Sequence, residues 1–247
     1  MTNAHEDEDP SDLRLAWGLT GAREAVAAGA RSVVVVDVLS FSTTLSVAVD
    51  LGVTVLPHGY EGSAAFALRH GATLARSRHH ASPGETSLSP VSVRQSASVR
   101  RLVLPSPNGS TICHAVGGQA QVAAGCLRNA TAVGRWLADQ PGTGVVVAAG
   151  EHWPDGTLRP ALEDLLGAGA VLTAALTAGP MRRPDADASA AMAAYHDALP
   201  RLGTRLRSLA SSRELAEMGY AADVEVALEL DGSDLVPVLR GEAFVAR

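Results

Sequence analysis

The sequence predicts an α/β protein, layered α/β/α around a largely parallel or mixed central sheet, and three observations carry that expectation. Segment 32–38 is an uninterrupted β-branched run of the kind buried on both faces of a parallel sheet. Around it, apolar segments of strand length alternate with stretches of helical periodicity, the rhythm of βαβ units. With 247 residues the chain can bury a substantial core, as one α/β domain or as two fused lobes sharing a sheet.

The elements follow in order. Residues 13–17 read as a first strand and 20–28 as a helix; after the central strand, 42–51 is helical and 53–56 extended. A helix at 63–70 and strands at 72–75 and 102–104 continue the alternation, with a polar loop at 76–97 between the two strands. Loops of this length inside a compact domain are commonly functional, often as lids. Segments 121–124 and 145–148 read as strands bracketing a helix at 130–139, for which Asn129 is a suitable N-cap. Pro160, at a first helical position, opens a helix at 161–175, and 185–209 reads as one or two helices covering the sheet. Segments 224–228, 235–239 and 243–245 read as short closing strands, with turns such as Asp231-Gly232 between them. The acidic segment 1–10 is expected to be a disordered tail, leaving 11–247 as a single α/β domain or a pair of lobes.

Composition narrows the function. Only 4% of residues are aromatic, so the apolar fraction rests on Ala, Val and Leu and predicts tight packing of small side chains. A formal charge of -6 argues against nucleic acid, whose partners carry a basic face, and favours a small-molecule ligand. All 20 residues in the Lys+Arg count are arginines, which removes the P-loop lysine and Schiff-base chemistry from consideration. Cys113 and Cys126 are the only cysteines and lack disulfide, redox or zinc spacing, as suits a reducing cytoplasm. No apolar run is long enough to span a bilayer, and the N-terminus lacks a secretory pattern. A cytoplasmic protein without membrane or nucleic-acid partners is expected, its oligomeric state open, a homo-oligomer included.

Open parallel sheets bind ligands beyond the carboxyl ends of their strands. After the central strand, Asp37 is followed by Ser40, Ser42, Thr43 and Thr44 at a helix entrance, a set that suits an anion beside a cation and equally suits plain capping. A second turn, Pro107-Asn108-Gly109-Ser110-Thr111, offers neutral donors to phosphate oxygens, or is an ordinary Asn-Gly turn. At a third place Arg159 precedes a helix whose first turn holds Glu163 and Asp164, residues that also suit a helix N-terminus electrostatically. His58, His79, His80, His114 and His152 lack metal-ligand spacing. Leu39 stands where an Asp-x-Asp phosphatase would carry its second aspartate, and no Gly-x-Ser-x-Gly elbow occurs.

The series from Val36-Asp37-Val38-Leu39-Ser40-Phe41-Ser42-Thr43-Thr44 continues through Ser89-Pro90, Pro107-Asn108-Gly109-Ser110 and Leu162-Glu163-Asp164, the last followed by Ala168-Gly169-Ala170. With Ser211-Ser212-Arg213-Glu214-Leu215, Gly219 and Asp223, it resembles the 2-phosphosulfolactate phosphatase family over residues 13–238. The resemblance implies a magnesium-dependent acid phosphatase with an α/β fold, acting on 2-phospho-3-sulfolactate in coenzyme M biosynthesis. The family often has an arginine two residues before the Ser-Thr-Thr run; this chain has Ser40-Phe41 there, and Arg159 and Arg213 are the candidate replacements. The expected site has Asp37, Glu163 and Asp164 as oxygen ligands of Mg²⁺, with Arg159 completing the catalytic group. Ser42, Thr43, Thr44, Ser89, Asn108, Gly109, Ser110, Thr111 and Arg213 are expected to hold a small phosphorylated acid. Water is the simplest nucleophile and Asp37 the alternative. A catalytically silent protein that binds a phosphorylated or sulfonated metabolite is the rival reading, favoured by Ser40-Phe41.

Overall fold

The computed structural model describes residues 12–82, 84–96, 98–179 and 182–247; the expected acidic tail lies outside the described residues. The chain begins with β1 (Leu13–Trp17) and α1 (Gly18–Ala27), then β2 (Ser32–Val36), α2 (Phe41–Asp50), β3 (Thr54–His58), α3 (Ser63–Arg69) and β4 (Thr73–Leu74). It continues with α4 (Pro90–Arg94), β5 (Arg101–Pro105), α5 (Gly109–Val116), β6 (Gln121–Gly125), α6 (Ala130–Ala138) and β7 (Gly144–Ala148). Two short strands, β8 (Glu151–His152) and β9 (Leu158–Arg159), lead into α7 (Leu162–Ala178). Four further helices, α8 (Ala186–Ala198), α9 (Leu202–Arg207), α10 (Ala210–Glu217) and α11 (Ala221–Ala227), precede the hairpin β10 (Pro237–Arg240) and β11 (Ala243–Ala246).

One nine-stranded sheet in the order β1-β7-β2-β6-β10-β11-β3-β5-β4 organises the molecule. Its first four strands are mutually parallel, as are its last three, and the β10–β11 hairpin joins the two blocks through antiparallel contacts. β2 is buried at every position because β7 and β6 flank it and helices cover both faces. Alternate residues of β2 point to opposite faces: Val34 and Val36 enter one core with α6, α7 and α8, and Val33 and Val35 enter the other with α2 and α5.

The hairpin meets each block through a single residue pair, Val238 with Ala123 and Phe244 with Val55. Strand twist accumulating across so loose a junction coils the sheet. The carboxyl ends of β2 and β5 consequently meet, since the Gly109 N–H beyond β5 donates to Asp37 Oδ2 beyond β2 at 3.1 Å. The expected small-residue packing is present: a Cβ added at Gly169 of α7 would lie 2.2 Å from the Ala191 carbonyl oxygen of α8.

Some boundaries differ from expectation. Segment 224–228, read as a strand, lies largely in α11, which packs against α10 and α4 and sends Val224 and Val226 into separate cores. A short apolar run does not by itself distinguish strand from helix. Segment 76–97 contains a 3₁₀ turn (Arg78–His80) and α4, so much of it has regular structure. Asn129 precedes α6, but its side chain accepts the Cys126 N–H at 2.9 Å instead of capping that helix.

Candidate active site

The end of β2 builds the centre. Asp37 is 6% exposed, and its carboxylate is oriented by two backbone donors, the Phe41 N–H on Oδ1 at 3.0 Å and the Gly109 N–H on Oδ2 at 3.1 Å. Gly109 allows this approach because a Cβ there would lie 2.3 Å from the Phe41 ring and 3.0 Å from Asp37 Oδ2. Burial raises the Asp37 pKa, while the two N–H groups and the positive charge of Arg78 oppose that rise.

Asp37 opens into a cavity of about 260 Å³, whose lining includes Ser40, Tyr60, Arg78, Asn108 and Glu151. That is below the roughly 300–1,000 Å³ usual for drug-sized ligands, so a small metabolite suits it. Arg78 and Glu151 are residues that sequence reasoning missed. The Nε and Nη2 of Arg78 donate to Asp223 Oδ2 at 3.1 and 2.9 Å, and Nη2 also donates to Ser40 Oγ. Its guanidinium lies 5.4 Å from the centroid of the Tyr220 ring. Arginine therefore reaches Ser40, where the family pattern led us to expect one, from the 3₁₀ turn and not from the β2–α2 connection.

Glu151 bounds the cavity and takes the Asn108 Nδ2 donor at 3.0 Å. Burial first, and then the negative charge of Asp37, push its pKa up to about 7. The β8–β9 hairpin, absent from the sequence reading, pairs Glu151 with Arg159, and Arg159 stacks over Trp153 at 5.6 Å. Glu151, Arg159 and Glu163 line an adjoining cavity of about 160 Å³.

Several expected site residues have other work. Both oxygens of Asp164 are engaged by backbone, Oδ1 by the Val38 N–H at 2.7 Å and Oδ2 by the Gly150 N–H at 2.8 Å. Ser42 donates to the Val35 carbonyl, Thr43 to Val38, Thr44 to Leu88, Ser110 to Leu104 and Thr111 to Ser106. Hydroxyls near helix starts readily bond nearby backbone, and these fix the turns around Asp37 without lining its cavity. Ser89 donates to Asp223 Oδ1 and so supports Arg78 indirectly. Arg213 donates to the Ser208 carbonyl at 2.7 Å and is exposed, outside the cavity lining.

The donors can be tested against a hard cation. Among the described residues no three His, Cys, Asp or Glu side chains converge as a ligand set, so Asp37, Glu163 and Asp164 do not form the expected triad. Asp164, like Asp37, accepts one backbone N–H on each oxygen, but unlike Asp37 and Glu163 it lines neither of the two cavities. Asp37 retains lone pairs beyond its backbone bonds, and the carboxylate of Glu163, 3% exposed as a residue, accepts no side-chain or backbone donor among the described residues. Magnesium is commonly held by one or two carboxylates, its remaining positions filled by water and substrate phosphate, and this pair fits that habit.

No helix among the described residues is long and apolar enough to cross a membrane. A search of curated proteins finds no match. The family model described as 2-phosphosulpholactate phosphatase matches residues 22–242, a span that includes β2, the Asn108-Gly109 turn and the start of α7. With the match covering nearly the whole chain, and with Asp37 placed where two strand ends meet, the protein belongs to the 2-phosphosulpholactate phosphatase family of phosphoric monoester hydrolases.

Proposed function

We propose that this phosphatase hydrolyses the phosphate ester of a small acidic metabolite of the 2-phosphosulfolactate type, with magnesium as cofactor. The observation that carries the proposal is the setting of Asp37, a buried carboxylate that is held by the Phe41 and Gly109 N–H groups and lines a small cavity. Its oxygens are fixed in direction, so they can hold a water beside phosphorus without reorganising as the reaction proceeds.

Asp37 and Glu163 are the residues that would hold magnesium, which when bound supplies positive charge to a phosphoryl group. Glu151, with its pKa near 7, can carry a proton at neutral pH and pass it to the departing ester oxygen. The Asn108 amide holds Glu151 Oε2 and leaves the other oxygen of that carboxyl for the substrate. The hydroxyls of Ser42, Thr43 and Ser110 contribute by keeping the loops around Asp37 in place.

The test is phosphate release from a panel of phosphorylated hydroxyacids, 2-phosphosulfolactate among them, with magnesium and with chelator. Magnesium-dependent release from the acidic esters is expected. Tight binding of these esters with no phosphate released under either condition would overturn the hydrolytic reading and leave a binding protein.

A further inference from the structure

We infer that Arg78 is the receptor for the substrate's phosphoryl group, and that Asp223 is the positioning residue that aims it. The inference rests on the reading of the cavity as a phosphate-ester site. Arg78 enters this cavity from the 3₁₀ turn, beside Ser77 and His79 of the same segment, and its side chain is 10% exposed. Three of its five N–H donors are engaged, by Asp223 and Ser40. The two on Nη1 have no protein acceptor among the described residues, although the guanidinium is held on several sides.

That restraint is unusually complete. Asp223 is 1% exposed and takes both Nε and Nη2 on one oxygen, while Ser89 donates to the other. Tyr220 packs against the guanidinium face, and its hydroxyl donates to the Arg78 carbonyl at 3.1 Å. A buried carboxylate spent wholly on directing an arginine into a polar cavity sets the guanidinium plane before any ligand arrives. Arginine is suited to phosphate because its planar fork meets two oxygens at once, and a preset plane lowers the ordering cost of binding. Its contact with Ser40, in the loop that begins at Asp37, places this fork beside the carboxylate proposed to act on phosphorus.

The experiment is titration of the full-length protein with inorganic orthophosphate, magnesium present throughout, followed by calorimetry. Arg78→Met should weaken orthophosphate binding by at least about tenfold, the scale of a charge-assisted hydrogen bond. Arg78→Lys, which keeps the charge and loses the fork, should fall between. Asp223→Asn should weaken binding in the wild-type background and add little in the Arg78→Met background, a coupling that a general structural defect would not produce. Unchanged orthophosphate affinity in a folded Arg78→Met protein, or strictly additive losses for the pair, would overturn the assignment. Arg78-dependent orthophosphate binding without ester hydrolysis would support the assignment while the hydrolytic reading failed.

Discussion

Asp164, at the start of α7, accepts the Val38 N–H at 2.7 Å across 126 residues of chain, and its second oxygen accepts the Gly150 N–H at 2.8 Å. One carboxylate thereby fastens the loops that leave β2 and β7. Burial, with the charges of Asp37 and Glu163, raises the Asp164 pKa well above the usual carboxylate range, and the two N–H groups pull the other way. Asp164→Asn turns an amide NH₂ against one of those donors. The expected outcome is a loss of roughly 1–3 kcal/mol in denaturant unfolding, with turnover per folded molecule changed far less than by substitution of Asp37.

Asp37→Asn should lower phosphate release by several orders of magnitude while the protein remains folded. Its charge is the one the proposed chemistry needs. The amide NH₂ meets one of its two backbone donors, at a cost of roughly 1–3 kcal/mol as at Asp164, and a stability loss of that size does not account for a drop of several orders of magnitude in rate. Steady-state rates and unfolding midpoints measured on one preparation check this, and near-normal turnover would remove Asp37 from the mechanism.

Gly109→Ala puts a methyl group 2.3 Å from the Phe41 ring and 3.0 Å from Asp37 Oδ2. Phe41 is fully buried and cannot swing away freely, so overpacking should cost about 1–3 kcal/mol. Activity should fall as well, because the methyl group separates the Gly109 N–H from Asp37. Thermal unfolding and turnover together test both halves.

The pH dependence of stability should carry the mark of Glu151. Its pKa lies near 7 in the folded protein against an ordinary value of 4.5, so the native state binds the proton more tightly than the unfolded chain does. The sign follows: its contribution is greatest below about 4.5 and is lost as pH rises toward about 7, on the order of 3 kcal/mol at most. Measured with chelator present, wild type should lose stability relative to Glu151→Gln across this window. A pH-independent difference between the two would contradict it.

Removal of metal by exhaustive chelation should abolish phosphate release, and magnesium or manganese should restore it where zinc does not. The candidate donors are carboxylate oxygens, and the histidines and cysteines form no cluster among the described residues. Full activity after chelation would exclude the proposed cofactor.

The sequence by itself determined the features that are local in physical origin. The valine run of β2 announces a strand buried on both faces because adjacent residues are all apolar, and Asp37 follows it at the edge where parallel sheets place ligands. The order of Asp37, Asn108-Gly109 and Glu163-Asp164 was legible as a family series for the same reason. Tertiary structure decided the partners. Arg78 and Asp223 are 145 residues apart, and nothing in the composition around either one indicates that the first is aimed by the second. The hydroxyls of Ser42, Thr43 and Ser110 have the right chemistry for phosphate, but the rotation of their helices turns them toward the Val35, Val38 and Leu104 carbonyls. Asp164 looks like a metal ligand in sequence and gains a fastening role because β2 and β7 lie side by side and the packing of α7 brings its oxygens to the N–H groups just beyond their ends. Residue type sets what a side chain can do, while its direction and neighbours depend on packing between segments far apart in the chain.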